Sequence, residues 1–408
     1  MSRVSASLAL AALLLLATPL AVAAADDPAL AESSTADAQT AATVVGLSEN
    51  TSRVLALPDA QRSNFTTPDA SVMASLRMDT AAATWTLSRE SLAQKLAAAG
   101  TQAERQRVLE NATENAAAAV DRLLERERAA RQAYLDGDST AERYATTLGE
   151  LQTRADALLS YIGPRNDPAP NSLLSYADRG SDLRSTLFAL QAEVTPLVTD
   201  PGASAARAVR GGLGDRLSVL AAPSGFALST IADGLYQRTV YRTDLLDENG
   251  AREVSSSELD SILDALYPWA RGGDGFVSSG RYQFGGYAYR ARITHLHGTI
   301  LSYMDASSGQ PYHETRETAL SVVATDPGWT NASGNYTLAV NRSYPGGPLR
   351  VSVTHDGSAV SVPITIDGER VGTTGVEDGV LWTLAPRGEF AVTTTVAGEE
   401  LRVNATAT

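Results

Sequence analysis

The sequence predicts a multidomain α+β protein: an N-terminal helical hairpin or coiled coil, a small α+β middle module and a C-terminal all-β sandwich. Three observations predict it. Residues 101–136 contain no Pro or Gly, and they and residues 141–162 repeat apolar side chains at the helical spacing of three and four. From residue 216, strand-like pieces and turn signals surround one amphipathic helix. From residue 330 onward there is only strand-like alternation, with turn residues every ten or so positions, as a sandwich requires.

The elements follow in order. Residues 1–25 have one Arg, an apolar run from Leu8 to Leu16, Pro19 and a small-residue end, Ala21-Val22-Ala23-Ala24-Ala25. These are the three parts of a Sec-type secretory signal; the other reading of Leu8–Ala25 is an uncleaved anchor. Residues 26–80 read as a flexible acidic leader followed by an irregular segment broken by Pro58 and Pro68. Residues 81–200 form the helical domain, with helical pattern from Leu87. Gly100 is a stop, and Thr101 and Glu104 have capping-box spacing. Leu109, Ala112, Ala116, Ala119 and Leu123 then continue the apolar stripe. Ser139 and Glu142 make a second box, followed by Tyr144, Leu148, Leu151, Ala155, Leu158 and Ile162. Two helices joined by so short a turn run antiparallel. A further helix is expected from Ser175 to Val198, and 201–215 is a Gly-rich boundary.

In the α+β module, 216–325, the strand YQRTVYR precedes an Asn249-Gly250 turn signal. A helix capped by Ser257 follows, with Leu259, Ile262, Leu263 and Leu266 on one face. Strands then turn at Gly298 and Ser308-Gly309. In the final region, 330–408, Ile364 and Ile366 alternate with polar neighbours, as do Phe390 and Val392, around turns at Asp367-Gly368 and Asp378-Gly379.

Composition excludes several classes of function. Cysteine is absent, so there is no disulfide, thiolate metal site, cysteine nucleophile or cysteine-linked lipid. Asp and Glu number 47 against 33 Lys and Arg, for a net charge of −14, and Lys95 is the one lysine. Nucleic acid and anionic membrane surfaces are poor partners for such a chain. The near-absence of lysine resembles proteins of salt-loving archaea, whose self-repulsion is screened in concentrated salt; an Arg-favouring genome is the alternative cause. No membrane span is expected once the signal is removed.

Seven of eleven asparagines sit in N-x-S/T triplets: Asn50, Asn64, Asn111, Asn331, Asn335, Asn341 and Asn404. With a secretory signal these are candidate glycan acceptors. In a strand from Asn335 to Asn341, Tyr336, Leu338 and Val340 face the core. Asn335 and Asn341 then face solvent, where glycans would block association with another sheet.

No catalytic or cofactor residue is assigned, and no cofactor is expected. The nucleophile elbow, zinc-protease, phosphate-loop and dinucleotide motifs are missing. One cluster stands out. His295 and His297 share a face in an extended strand, and His313 joins them if the next strand folds back. Three imidazoles with an open position suit a catalytic zinc; the alternative is polar-tipped filler of a half-buried face. Trp269, Tyr282, Phe284, Tyr287 and Tyr289, with Arg281, Arg290 and Arg292, form an aromatic–arginine group able to hold a sugar or peptide, or simply a small core.

Several resemblances add to this. I-D-G-E-R-V-G-T-T, D-G-V-L-W-T and P-R-G-E-F-A-V, between Ile366 and Val392, resemble immunoglobulin-like surface domains of the carboxypeptidase-regulatory and PEGA type. That likeness implies a structural or adhesive immunoglobulin-like sandwich without catalytic residues. The strand, helix and hairpin before it are similar to PepSY modules, which implies contact with a secreted protease. The whole resembles secreted, multi-part haloarchaeal proteins of unknown function. The expected function is a secreted or cell-surface binding or structural protein of the archaeal envelope, with an envelope protein or glycan as partner. The alternative is a metal-dependent hydrolase or protease-regulating factor using the histidine cluster.

Overall fold

A computed structural model describes residues 44–45, 53–164, 169–247, 252, 254–272, 275–284, 288–323, 325–343 and 347–407. The expected signal peptide (1–25), Asn50, Tyr287 and the Asn249-Gly250 turn lie outside them.

The described chain opens with β1 (Val44–Val45) paired to β2 (Val54–Leu55), then β3 (Arg62–Thr66). α1 (Val72–Ala98) is capped by the Ser71 hydroxyl, which accepts from the Ala74 amide. The stretch expected to be irregular therefore holds two strands and the start of a helix. α1 was hard to read there because Val72, Met73, Leu76 and Leu87 add exposed apolar residues beside the buried stripe of Ala74, Met78, Leu92 and Leu96. α2 (Gln102–Asp136) starts at the expected box, Thr101 and Glu104 each bonding the other's backbone, and ends at Gly137 with φ 88°. α3 (Ala141–Ile162) returns antiparallel. Its cap is Thr140, which accepts from the Arg143 amide, one residue after Ser139. Ser139 instead donates to the Thr140 carbonyl.

α4 (Leu173–Tyr176), α5 (Asp182–Val194) and α6 (Asp200–Val209) complete the helical region. The single helix expected over 175–198 is thus interrupted, and most of the expected Gly-rich boundary is a buried helix. α3 packs against α1, α2 and α6, so the hairpin belongs to a bundle and is not a free rod. Gly149 permits the α3–α6 crossing: a Cβ there would lie 2.8 Å from the Ala206 amide nitrogen.

β4 (Leu217–Ala222), β5 (Gly225–Ala232) and β6 (Leu235–Arg242) lead to α7 (Ser256–Leu266) and α8 (Pro268–Gly272). Ser255, rather than Ser257, caps α7. β7 (Phe276–Phe284), β8 (Ala288–His295), β9 (Gly298–Asp305) and β10 (Pro311–Ala319) follow. With β3 they form one eight-stranded sheet, ordered β3-β4-β5-β6-β10-β9-β8-β7. Asn64 of β3 stands opposite Val219 of β4. The whole helical region is therefore an excursion between two neighbouring strands. One sheet face, with Val219, Phe226, Tyr241 and Tyr303, buries against the bundle through Leu151, Leu158 and Leu187. The other, with Ile293 and Ile300, lies under α7, α8, Leu55 and Leu57.

The C-terminal region is a two-sheet sandwich. β11 (Asp326–Ser333), β12 (Tyr336–Arg342), β13 (Pro348–His355), β14 (Ser358–Ala359) and β17 (Val380–Leu384) form one sheet. β15 (Pro363–Ile366), β16 (Glu369–Thr373), β18 (Gly388–Val396) and β19 (Glu399–Ala407) form the other. Leu338, Val351, Ile364, Phe390, Val392 and Leu401 fill the space between them. The sandwich is docked on the rest of the chain. Trp382 and Leu384 pack with Tyr236, Ile231 and Leu320; Arg216 pairs with Glu369 at 3.0 Å, and Arg387 donates to the Ala60 carbonyl. Among the described residues no helix is long and apolar enough to cross a membrane.

Candidate functional site

The three histidines do not converge. His295 and His297 meet Trp269 beneath α8, with ring centroids 5.5 and 4.7 Å from the indole. His313 lies on the opposite sheet face, stacked on Tyr303 at 4.8 Å and edge-on to Tyr241. The bulge between Pro311 and His313 breaks the strand's alternation and turns the ring to the bundle side. No group of three or more His, Cys, Asp or Glu among the described residues is placed to hold a metal ion. Burial, then Arg316 and His297, lowers the His295 pKa to about 3; burial, then Arg290, lowers that of His313 to about 3. Both rings are neutral fillers. His295 Nδ1 accepts from the His297 amide, which leaves the ring proton on Nε2. The metal-dependent hydrolase reading required convergence and loses its basis.

The aromatic–arginine group is divided in the same way. Tyr289 is buried, its hydroxyl accepting from the Val254 amide at 2.7 Å, while Arg290 sits over Tyr303 on the other face. Beside them is a polar cluster absent from the sequence reading. Glu314, 1% exposed, accepts from Tyr267 Oη at 2.8 Å and the Leu55 amide at 3.2 Å, and lies 3.5 Å from Arg316. It ties the N-terminal segment to the sheet and is closed to solvent.

The sequons are scattered. Asn64, Asn111, Asn335 and Asn404 are exposed, while Asn331 and Asn341 are half-buried. Leu338 is buried, as expected, but Tyr336 is half-buried and lies tilted against His355, ring centroids 4.4 Å apart. Asn331 Nδ2 donates to the Arg402 carbonyl and Asn335 Nδ2 to Asp356. β12 is an interior strand between β11 and β13; β11 is the edge on that side, and it lies against β19 of the other sheet.

The opening with the clearest chemistry is a groove along α1. One cavity of about 670 Å³ is lined by Trp85, Ala119, Arg122, Leu123, Arg126 and Arg154, among others. A second, of about 300 Å³, is lined by Met73, Leu76, Arg77, Thr80, Ala81 and Arg154. They share Ala81 and Arg154, so they lie side by side along α1. Along α1, Ala74, Met78, Ala81 and Trp85 follow one stripe at spacings of four, three and four, and Met73 and Leu76 stand to its side. Ala74 and Met78 bury against α6; Met73, Leu76, Ala81 and Trp85 line the groove. Behind the lining, Glu150, 2% exposed, holds Arg77 at 2.6 Å and Arg126 at 2.5 Å. Arg154, one turn on, has a buried Nε without a hydrogen-bond partner. Burial, then Arg126 and Arg77 against the opposing pull of Glu150, lowers its pKa. A larger cavity of about 740 Å³, between α2 and α5, is lined by Arg105, Glu110, Glu114, Asp178 and Asp182, among others, with mixed charge and no such focus.

The fold and the groove describe a helical bundle bearing an open groove, set on an antiparallel sheet and joined to an immunoglobulin-type sandwich. Residues 329–404 match the archaeal fibronectin-III type-like domain. Residues 217–324 match a family of unknown function, DUF7094. Residues 1–212, more than half of the chain, match the domain of unknown function DUF7096, and the chain belongs to that family. No curated protein and no solved structure matches it.

Proposed function

We propose that this is a secreted or cell-surface binding and structural protein of the archaeal envelope, exported by a Sec-type signal peptide and carrying glycans at some of its sequons. The observation that carries the reading is the joining of a fibronectin-III type-like sandwich to a bundle with an open groove. Carboxypeptidase-regulatory and PEGA-type likeness points to the same structural or adhesive role. The acidic, almost lysine-free composition fits a salt-rich exterior. Fractionation of archaeal cells making the native chain, with N-terminal sequencing and intact mass, tests it. The expected product starts between Ala24 and Asp27, lies at the envelope or in the medium, and is heavier than its sequence. Cytosolic protein with an intact Met1 and no glycan overturns it.

A further inference from the structure

We infer that the α1 groove is a docking site for an acidic, amphipathic polypeptide segment, whose carboxylates meet Arg122 and Arg154 and whose apolar side chains cover Met73 and Leu76. This rests on the binding role proposed above and names the class of partner.

Charge comes first. In a chain of net charge −14, Arg77, Arg122, Arg126 and Arg154 gather around one opening. Glu150 offsets part of this from behind, and Glu125 lies at the rim. Glu150 is fully engaged: both of its oxygens are held by Arg77 and Arg126. Arg122 is exposed and Arg154 keeps a buried donor unmatched. Guanidinium and carboxylate pair through two parallel bonds, which fixes orientation as well as charge.

Shape and apolarity choose among anions. Met73 is 63% and Leu76 55% exposed, a costly display of adaptable side chains beside the arginines. From Met73 to Trp85 the groove follows α1 for roughly 18 Å, which suits a short helix or an extended strand. A sugar acid would match the arginines but leave Met73 and Leu76 wet. It would also seek an open aromatic face, whereas Trp85 is half-buried and packs on Tyr161 at 5.0 Å. The observations favour polypeptide.

Fluorescence anisotropy on the purified full chain tests this. The probe is a labelled peptide of about twelve residues with Leu at helical spacing and Glu between. A second peptide has Gln for every Glu, and a labelled oligouronate serves as sugar probe. The acidic peptide should bind at least about tenfold more tightly than the Gln peptide. Arg122→Gln and Arg154→Gln should each weaken it about three- to tenfold, with unchanged thermal unfolding, since neither residue holds Glu150 by a hydrogen bond. Leu76→Ser should weaken both peptides. Equal binding of the two peptides, indifference to both arginine substitutions, or binding of the oligouronate alone overturns the inference. Failure of the peptide to bind a chain that is found at the cell surface overturns this inference and leaves the envelope role standing.

Discussion

Substituting phenylalanine for His313 should make the protein less stable at neutral pH and more stable in mild acid. The ring is 1% exposed and stacks on Tyr303, a contact that phenylalanine keeps. The substitution removes the bonds from Nε2 to Thr239 at 3.2 Å and, longer, to Thr315 at 3.4 Å, about 1 kcal/mol together; Nδ1 has no partner to lose. Burial, then Arg290, lowers the native pKa from 6.5 to about 3. The unfolded chain takes up a proton as pH falls below 6.5, and the native chain does not until about 3. The stability tied to the neutral ring is therefore complete above 6.5 and is lost progressively as pH falls towards 3. At pH 5 the loss is about 2 kcal/mol. The variant should sit about 1 kcal/mol below the parent at pH 7.5 and about 1 kcal/mol above it at pH 5. Urea unfolding at both pH values, extrapolated linearly, reads this difference. Glu127 works in the opposite sense: burial raises its carboxyl, and its contribution is lost as pH rises through the raised value. His295 has the same sense as His313. Both are common to parent and variant and cancel in the comparison. If the difference keeps its sign between pH 7.5 and 5, the ring is not held neutral and the reasoning fails.

Residues 325–407 should fold alone, because the sandwich closes its own core, whereas 217–324 should not, because it lacks β3, Leu55 and Leu57; cooperative thermal melts of the two fragments separate them. Gly149→Val should cost about 1–3 kcal/mol by forcing α6 away from α3, seen as a lowered Tm with the sandwich unaffected. Replacing Asn331, Asn335 and Asn341 by Gln should lower the mass of native protein and raise its aggregation without unfolding the sandwich; an unchanged native mass would count against modification there.

What the sequence showed and what it hid follow from the range of the interactions. The Thr101–Glu104 box was legible because its chemistry spans four residues. Ile364, Ile366, Phe390 and Val392 alternate visibly, and all four are buried. β3, RSNFT, is short and largely polar, and its partner lies beyond the whole helical region. The face taken by His313 was decided by a bulge that no residue pattern announces. The groove is built from α1, α2 and α3, so Arg77, Arg122 and Arg154 look unrelated along the chain. One signal was available: Met73 and Leu76 are apolar, one turn apart, and lie off the stripe of Ala74, Met78, Ala81 and Trp85.

The position of β3 also sets how the chain can be taken apart. Strand and bundle are joined only by residues 67–71, yet the strand is held by its ladder to β4, and Leu55 just upstream is held by Glu314. A protease that cuts between Thr66 and Val72 would sever the peptide bond and release nothing. The nicked N-terminal piece would stay as a non-covalent ribbon along the sheet. Stripped away by denaturant, it could be replaced by a synthetic copy added in trans, which would re-enter by strand addition. The protein can thus be handled as two complementing pieces.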